Sequence, residues 1–404
     1  MKTIYFIGPH HPIFETMVKY PPHDYKVVST MTSDYSSGYI KEYYDKRYIL
    51  IKNLADDFMA YLSLPRLLML PRQFIADCVF AVNTLPLTFK PSIIGVETVF
   101  HFTRRLNLAY KTSFASILLN RLKRCRKIVA ISNASKISIL NYTTLFNKSL
   151  SKILEQKIKV VYPSVNPSYA DKLSLFRKTR KNSYFRIVHV NTRPLTRGLI
   201  ELLKAALMLS SKYDIELRIE LTPRFFTHEA YSITSRFLQK LRDLNVPVTL
   251  KIGNLCRDEL FKNFYAQGDL FVLPTWMDSF GFVFLEAMSM GLPCIGTDIY
   301  AIPELIKNEF NGFIVKLPIK PYINIKRLKY LTTSNLLERY FNLREKFSDE
   351  VARQLVVKIS KLIEDDKKRR RMGKNSYMLT HSRHFSVKYQ QLKLREIYEE
   401  ALQK

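Results

Sequence analysis

The stretch DSFGFVFLEAMSMGLPCIGTDIYAIPELI, residues 278–306, carries two acids eight positions apart, Asp278 and Glu286, inside a dense run of glycines. The chain has only 11 glycines, yet Gly281, Gly291, Gly296 and Gly312 all fall within residues 281–312. Glycine is used where backbone must pass close to a ligand or adopt positive φ. Residues 279–282 therefore read as a loop opening onto a helix that starts near Phe280, whose free amides can hold an anion. Asp278 then stands before the helix and Glu286 two turns inside it. A carboxylate has two acceptor oxygens, which suits it to adjacent hydroxyls. Glycines alone also fit close packing, and acids alone also fit a solvated surface; their coincidence points to one ligand at the helix mouth.

Short β-like runs alternate with longer helical ones on both sides of this block. Residues 4–8, 25–29, 92–101 (a strand running into a polar turn), 127–131 and 157–162 read as strands of a first unit. Residues 185–190, 215–221, 248–252, 270–273 and 293–297 read as strands of a second. This alternation argues for parallel sheets covered on both faces. The polar segment 171–184 separates the units. The expected organisation is a first domain over 1–180, a second over 184–375, and a helical segment over 376–404. Ser132 and Asn133 offer a cap for a helix from about Ala134. Residues 320–345 read as an insertion or loose helical excursion, and the tail from about Asp349 as helical.

A chain of 404 residues with 47% hydrophobic content is too long for one core and too apolar for a disordered tail. No run approaches eighteen apolar residues, so no membrane span is expected. Cys78, Cys125, Cys256 and Cys294 are scattered, which suggests a reducing, cytoplasmic compartment. The formal charge is +29, and residues 101–200 hold 21 Lys or Arg against two acids, Glu155 and Asp171. The densest part is RLKRCRK at 121–127, preceded by a largely apolar run at 114–119 and by Arg104, Arg105 and Lys111. Residues 106–124 can form a helix with an apolar side and a basic rim, suited to an anionic membrane surface. A solvated helix fits the same pattern. The aromatics nearby lack the interleaving of a nucleic-acid stacking platform, so no specific nucleic-acid partner is expected.

Residues 269–306 resemble the signature of glycosyltransferase family 4, the retaining GT-B enzymes, with its acid-x7-acid motif. The family usually has Glu at both positions; here the first is Asp278. The resemblance implies two Rossmann-like domains facing across a cleft, 1–180 on the acceptor side, 184–375 binding the nucleotide sugar and 376–404 returning to the first, with Asp278 on hydroxyls of the donor sugar and Glu286 on the nucleotide ribose. It also implies that Ser279, Phe280, Gly281, Phe282 and Val283 lie near the sugar and diphosphate. VNTRPLTRG at 190–198 is similar to the family's Gly-Arg and Lys-Gly segment, with Arg193 matching the arginine, Arg197 in place of the lysine, and Asn191 at a glycine-like position. Both arginines would clamp the diphosphate and neutralise the leaving group. In the first domain, Gly8-Pro9-His10-His11 stands where the family has a glycine pair, with Gly8 near the donor. His101 matches a histidine that supports the reacting centre; a packed histidine at a strand end is the plain alternative. Residues 371–386 resemble the segment leading the last helix back across, with Phe385 in place of the usual tryptophan.

The activity implied is retaining transfer of a hexose from a UDP- or GDP-sugar to a glycan or lipid-linked acceptor, with His101, Arg193, Arg197 and Asp278 at the reaction and no cofactor or metal. Peripheral attachment to the cytoplasmic face of a membrane would run through basic residues 104–127. The rival class is a catalytically inactive interaction protein of the same GT-B shape, motivated by Asp278, the single glycine of the first loop and Asn191.

Overall fold

The computed structural model describes residues 1–7, 12–29, 67–68, 75–102, 112–167, 184–222, 228–253, 255–318 and 333–403. Gly8 and its loop, the basic residues Arg104, Arg105 and Lys111, and most of the segment between the two units lie outside the described residues.

The first unit contains β1 (Lys2–Ile7), β2 (Tyr25–Ser29), β3 (Leu67–Leu68), β4 (Cys78–Val82), β5 (Leu85–Pro86), β6 (Ser92–Val96), β7 (Lys127–Ala130) and β8 (Ile158–Val160). Six of them form a sheet in the order β2-β1-β4-β6-β7-β8, parallel throughout, while β3 and β5 pair apart. Strands covered on both faces become continuous apolar runs, and CVFAV of β4 is buried at every position. The second unit has β9 (Phe185–Asn191), β10 (Ile215–Leu221), β11 (Val248–Ile252), β12 (Leu270–Val272), β13 (Cys294–Thr297) and β14 (Gly312–Val315). Its parallel order is β11-β10-β9-β12-β13-β14. That order reverses between β9 and β12, and ligands of doubly wound sheets bind in the crevice at such a reversal. Two Rossmann-like domains facing across a cleft make this a GT-B fold, as the sequence resemblance implies.

The covering helices of the first unit are α1 (Pro12–Lys19), α2 (Thr112–Arg124), α3 (Asn133–Phe146) and α4 (Lys148–Lys157). Those of the second are α5 (Leu199–Leu209), α6 (His228–Asp243), α7 (Arg257–Asn263), α8 (Phe282–Ser289), α9 (Ile302–Leu305), α10 (Thr333–Glu364) and α11 (Asp366–His381). The last helix, α12 (Val387–Leu402), packs on the first sheet. Its Tyr398 ring meets Tyr25 edge-on at 5.1 Å, and its Gln390 accepts from Thr16 of α1 at 2.8 Å. Phe385, just before α12, lies against Tyr162 with centroids 5.1 Å apart.

Two readings of the sequence change. The apolar side of α2 is not a membrane face: Phe114, Leu118, Leu119 and Leu122 are buried in the core of the first domain. A helix that covers a sheet and one that lies on lipid show the same 3.6-residue period, and the sheet takes this one. Only the polar rim, including Lys123, Arg124 and Arg126, is exposed. Of the excursion expected over 320–345, residues 320–332 lie outside the described residues, and 333–345 are helical, part of the long α10 that continues to Glu364. The helix after Asp278 starts at Phe282 rather than near Phe280, so Glu286 sits little more than one turn inside it.

Candidate functional site

The loops that follow β9 and β12 meet at the reversal of strand order, and glycine makes the meeting geometrically available. Gly198 begins α5 at φ +80, and a Cβ there would fall 2.2 Å from the Pro274 carbonyl oxygen. The Trp276 amide then donates to Thr196 O at 3.0 Å. Gly281 begins α8 at φ +85, and a Cβ there would meet Ile302 at 2.5 Å. Gly281 caps α8 without a side chain, so the Phe282 and Val283 amides have neither an intrahelical acceptor nor a side-chain one at the cap, while the Phe284 amide donates to the Gly281 carbonyl at 2.9 Å. Of the two reasons the sequence offers for this glycine, positive φ is the one seen, and the close approach is to the Ile302 and Phe284 side chains.

Asp278 organises the same loop. Its Oδ1 accepts from the amides of Phe280 at 3.2 Å and Gly281 at 3.0 Å, and its other oxygen forms an ion pair with Arg197. Both partners of the pair are largely buried. An aspartate makes this local turn readily because its short side chain reaches the amides two and three residues on. Asp278 therefore joins the two loops and aims Arg197, which the sequence reading treated as separate features. Arg193 is exposed, and its carbonyl accepts from the Thr196 and Arg197 amides to shape the turn.

His189 and Asn191 tie the floor of the crevice together. His189 Nδ1 donates to Val272 O at 2.8 Å, linking β9 to β12, and the Asn191 side-chain amide donates to His189 Nε2. Burial pushes the His189 imidazole down to about 4, which keeps it neutral and fixes this tautomer. Asn191 at the glycine-like position thus has a structural partner of its own.

Glu286 is buried and doubly bonded. The Tyr265 hydroxyl donates to Oε2 at 2.9 Å, and Arg257, the first residue of α7, pairs with Oε1. Burial, followed by the charge of Glu286, holds the Tyr265 phenol well above its usual range, so it remains a donor. The Arg257 guanidinium lies 5.7 Å from the Phe282 ring centroid. Two further acids stand close enough to feel this group. Glu15 of α1 comes from the first domain; burial raises its carboxyl, opposed by the charges of Arg257 and Lys19. Glu220 of β10 is pushed up to about 8 by burial and then by the charge of Glu286.

Arg257, Glu15 and Glu220 were not singled out from the sequence. Glu220 alone left a signal there: IELRIEL puts Glu216 and Glu220 on one face of a strand that should be apolar on both. Glu216 is paired with Arg186 at 2.7 Å and Arg218 at 2.8 Å, whereas among the described residues no donor meets Glu220. The folded protein keeps Glu220 protonated up to about 8, while the unfolded chain ionises it in the ordinary carboxylate range. Stability from this group is complete below that range and falls as pH rises through it towards 8. Glu220→Gln is expected to remove the slope. The stability difference between variant and wild type should then grow between pH 5 and 8 by about 1.4 kcal/mol per pH unit. Urea unfolding at several pH values measures this, and a constant difference would contradict it.

His101 sits in the 3-10 turn Val99–Phe102 after β6, with Nδ1 3.0 Å from Thr98 Oγ1 and Nε2 3.5 Å from the Glu97 carboxylate. Tyr300 of the second domain donates to the Glu97 carbonyl at 3.1 Å, which puts the His101 turn at the junction of the domains. Among the described residues, no three His, Cys, Asp or Glu side chains are grouped as a metal site. No described helix is long and apolar enough to cross a membrane.

The sequence profile of the family described as glycosyl transferases group 1 matches residues 233–321, which contain Arg257, Tyr265, Asp278 and Glu286. A glycosyltransferase from Rickettsia africae superposes over 100% of this chain and 99% of its own, with TM-score 0.61 and 16% identity. The Anabaena protein HepE, solved in complex with UDP, superposes over 99% of this chain and 100% of its own, with TM-score 0.62 and 14% identity. The chain has a GT-B fold, and its residues 233–321 are similar to the group 1 glycosyltransferases. Among curated relatives, the Escherichia coli UDP-Gal:alpha-D-GlcNAc-diphosphoundecaprenol alpha-1,3-galactosyltransferase is 43% identical over 63 residues, 15% of this chain and 16% of that enzyme. The sequence similarity to this enzyme is thus local, while the similarity of fold to the solved structures extends over the whole chain.

Proposed function

We propose that this protein is a retaining glycosyltransferase that moves a hexose from a nucleoside diphosphate sugar to a glycan or lipid-linked acceptor. The observation that carries the reading is the Arg197–Asp278 pair beside the uncapped N-terminus of α8, at the point where the strand order reverses. That arrangement presents a cation and free amides to one anion, the donor diphosphate. Glu286 has two acceptor oxygens for the ribose diol, and Arg257 and Tyr265 hold it in place. Arg193 and Arg197 take up charge as the phosphate departs. The acceptor attacks on the face the phosphate leaves, the phosphate oxygen helps to remove the acceptor proton, and the sugar keeps its anomeric configuration. His101 lies on the acceptor side and supports the reacting centre. Closure of the cleft excludes water and limits donor hydrolysis. Uridine is favoured as the nucleoside because HepE is described in complex with UDP and the Escherichia coli relative as using UDP-Gal.

A lipid-linked acceptor fits the basic character of the first domain and the diphosphoundecaprenol named for the Escherichia coli relative. With the apolar side of α2 in the core, any attachment to an anionic surface is electrostatic and weakens with salt. The test is a transfer assay with UDP- and GDP-hexoses on polyisoprenyl diphosphate sugars in anionic or neutral liposomes. The expected product keeps the anomeric configuration of the donor by NMR, and protein pellets only with the anionic liposomes at low salt. An inverted product would refute retention. Turnover of no donor by folded protein would refute the enzyme reading, and salt-insensitive pelleting would refute electrostatic attachment.

A further inference from the structure

Glu304, the third residue of α9, reaches out of the second domain to the N-terminus of α3 in the first. Its Oε1 accepts from the Ala134 amide at 2.7 Å. Its Oε2 accepts from the Asn133 amide at 2.8 Å, the Asn133 side-chain amide at 3.0 Å and the Tyr162 hydroxyl at 2.7 Å. A helix leaves its first amides without intrahelical acceptors. Ser132, the cap residue of α3, reaches only the Ser135 amide, at 3.0 Å. Glu304 accepts from the two amides before it, so one helix end is completed by residues of both domains. A carboxylate is also the charge that a helix N-terminus favours.

The contact is built into the crossing between domains. Tyr162 follows β8, and its ring packs on Phe385, where the chain passes from α11 to α12. The Tyr162 carbonyl accepts from Gln390 of α12 at 3.0 Å. Burial, and then the hydrogen bond to Glu304, keeps the Tyr162 phenol above its usual range and hence protonated as a donor. Four residues before Glu304, Tyr300 adopts φ +44 and bonds the Glu97 carbonyl of the first domain. A left-handed tyrosine costs about 1 kcal/mol or more, and the strain is kept at a residue that bridges the domains.

We propose that Glu304 is the pivot between the two domains: by completing the cap of α3 from across the junction, it sets the angle at which the donor-side domain meets the acceptor-side domain. Asp278, Arg197 and Glu286 hold their own partners without it, so Glu304 is a positioning residue for transfer and not a donor ligand. The kinetic consequence rests on the transferase reading; the structural consequence does not.

The test compares full-length Glu304→Ala and Glu304→Gln with wild type by hydrogen–deuterium exchange, UDP titration and steady-state kinetics. In Glu304→Ala, exchange at the Asn133 and Ala134 amides is expected to rise about tenfold, as two charge-assisted bonds are lost. Turnover should fall about tenfold, a larger share of donor should be hydrolysed, and UDP affinity should stay within about twofold. Glu304→Gln keeps one acceptor oxygen and should fall between the two. Unchanged exchange at these amides in folded Glu304→Ala would overturn the pivot, as would UDP affinity falling in step with turnover. If wild-type protein turns over no donor, the transferase reading fails while the exchange result still decides the pivot.

Discussion

Arg197→Ala is expected to lower kcat/KM about a thousandfold, mostly through kcat, because a cation aimed at the departing phosphate acts chiefly in the transition state. The geometry adds a second consequence. Arg197 is the ionic partner of Asp278, which also holds the amides of Phe280 and Gly281. Removing the arginine leaves a largely buried carboxylate unpaired, which costs about 3–5 kcal/mol of stability. The double substitution Arg197→Ala with Asp278→Asn removes that charge, so stability should recover while activity does not. Steady-state kinetics beside urea unfolding separates the two effects. Recovery of activity together with stability would mean that Arg197 only holds the loop. Arg197→Lys keeps the charge without the two-pronged geometry and should fall between wild type and alanine.

Glu286→Ala is expected to weaken nucleotide binding at least about a hundredfold, since hydrogen bonds to a charged group contribute roughly 1.5–3 kcal/mol each. Here the loss should be equal for uridine and for UDP, because the ribose carries it. Arg197→Ala should weaken UDP and leave uridine unchanged. Titration of the four combinations of variant and ligand tests both assignments at once. Glu286→Ala also strands Arg257 and the Tyr265 hydroxyl, both of which bond this carboxylate inside the domain. A matching loss of stability is expected, and Arg257→Met in the same chain should return part of it.

The block around Asp278 was legible in the sequence because its demands are local. A left-handed Gly281 at a helix start and an aspartate that bonds the next amides are written within four residues. The alternation of strands and helices was legible for the same reason, since buried parallel strands such as CVFAV read as apolar runs. What the sequence did not reveal is the company these residues keep. Arg257 meets Glu286 across 29 positions, and Glu304 meets Asn133 across 171. No periodicity records such pairs. The amphipathic α2 marks the opposite limit: its pattern was read correctly as one-sided, but a sheet and a lipid surface ask for the same side. The excursion read over 320–345 is helical from Thr333, and further along the same helix α10 buries a stripe at Val351, Ala352, Leu355, Ile359 and Leu362.

Calorimetric titration of the full chain with UDP tests the central claim most directly. Saturable one-to-one binding is expected in wild type, abolished in Glu286→Ala and strongly weakened in Arg197→Ala. No binding of UDP or GDP to folded protein, or undiminished binding by folded Glu286→Ala, would contradict the assignment of the crevice between β9 and β12 as a nucleotide-sugar site.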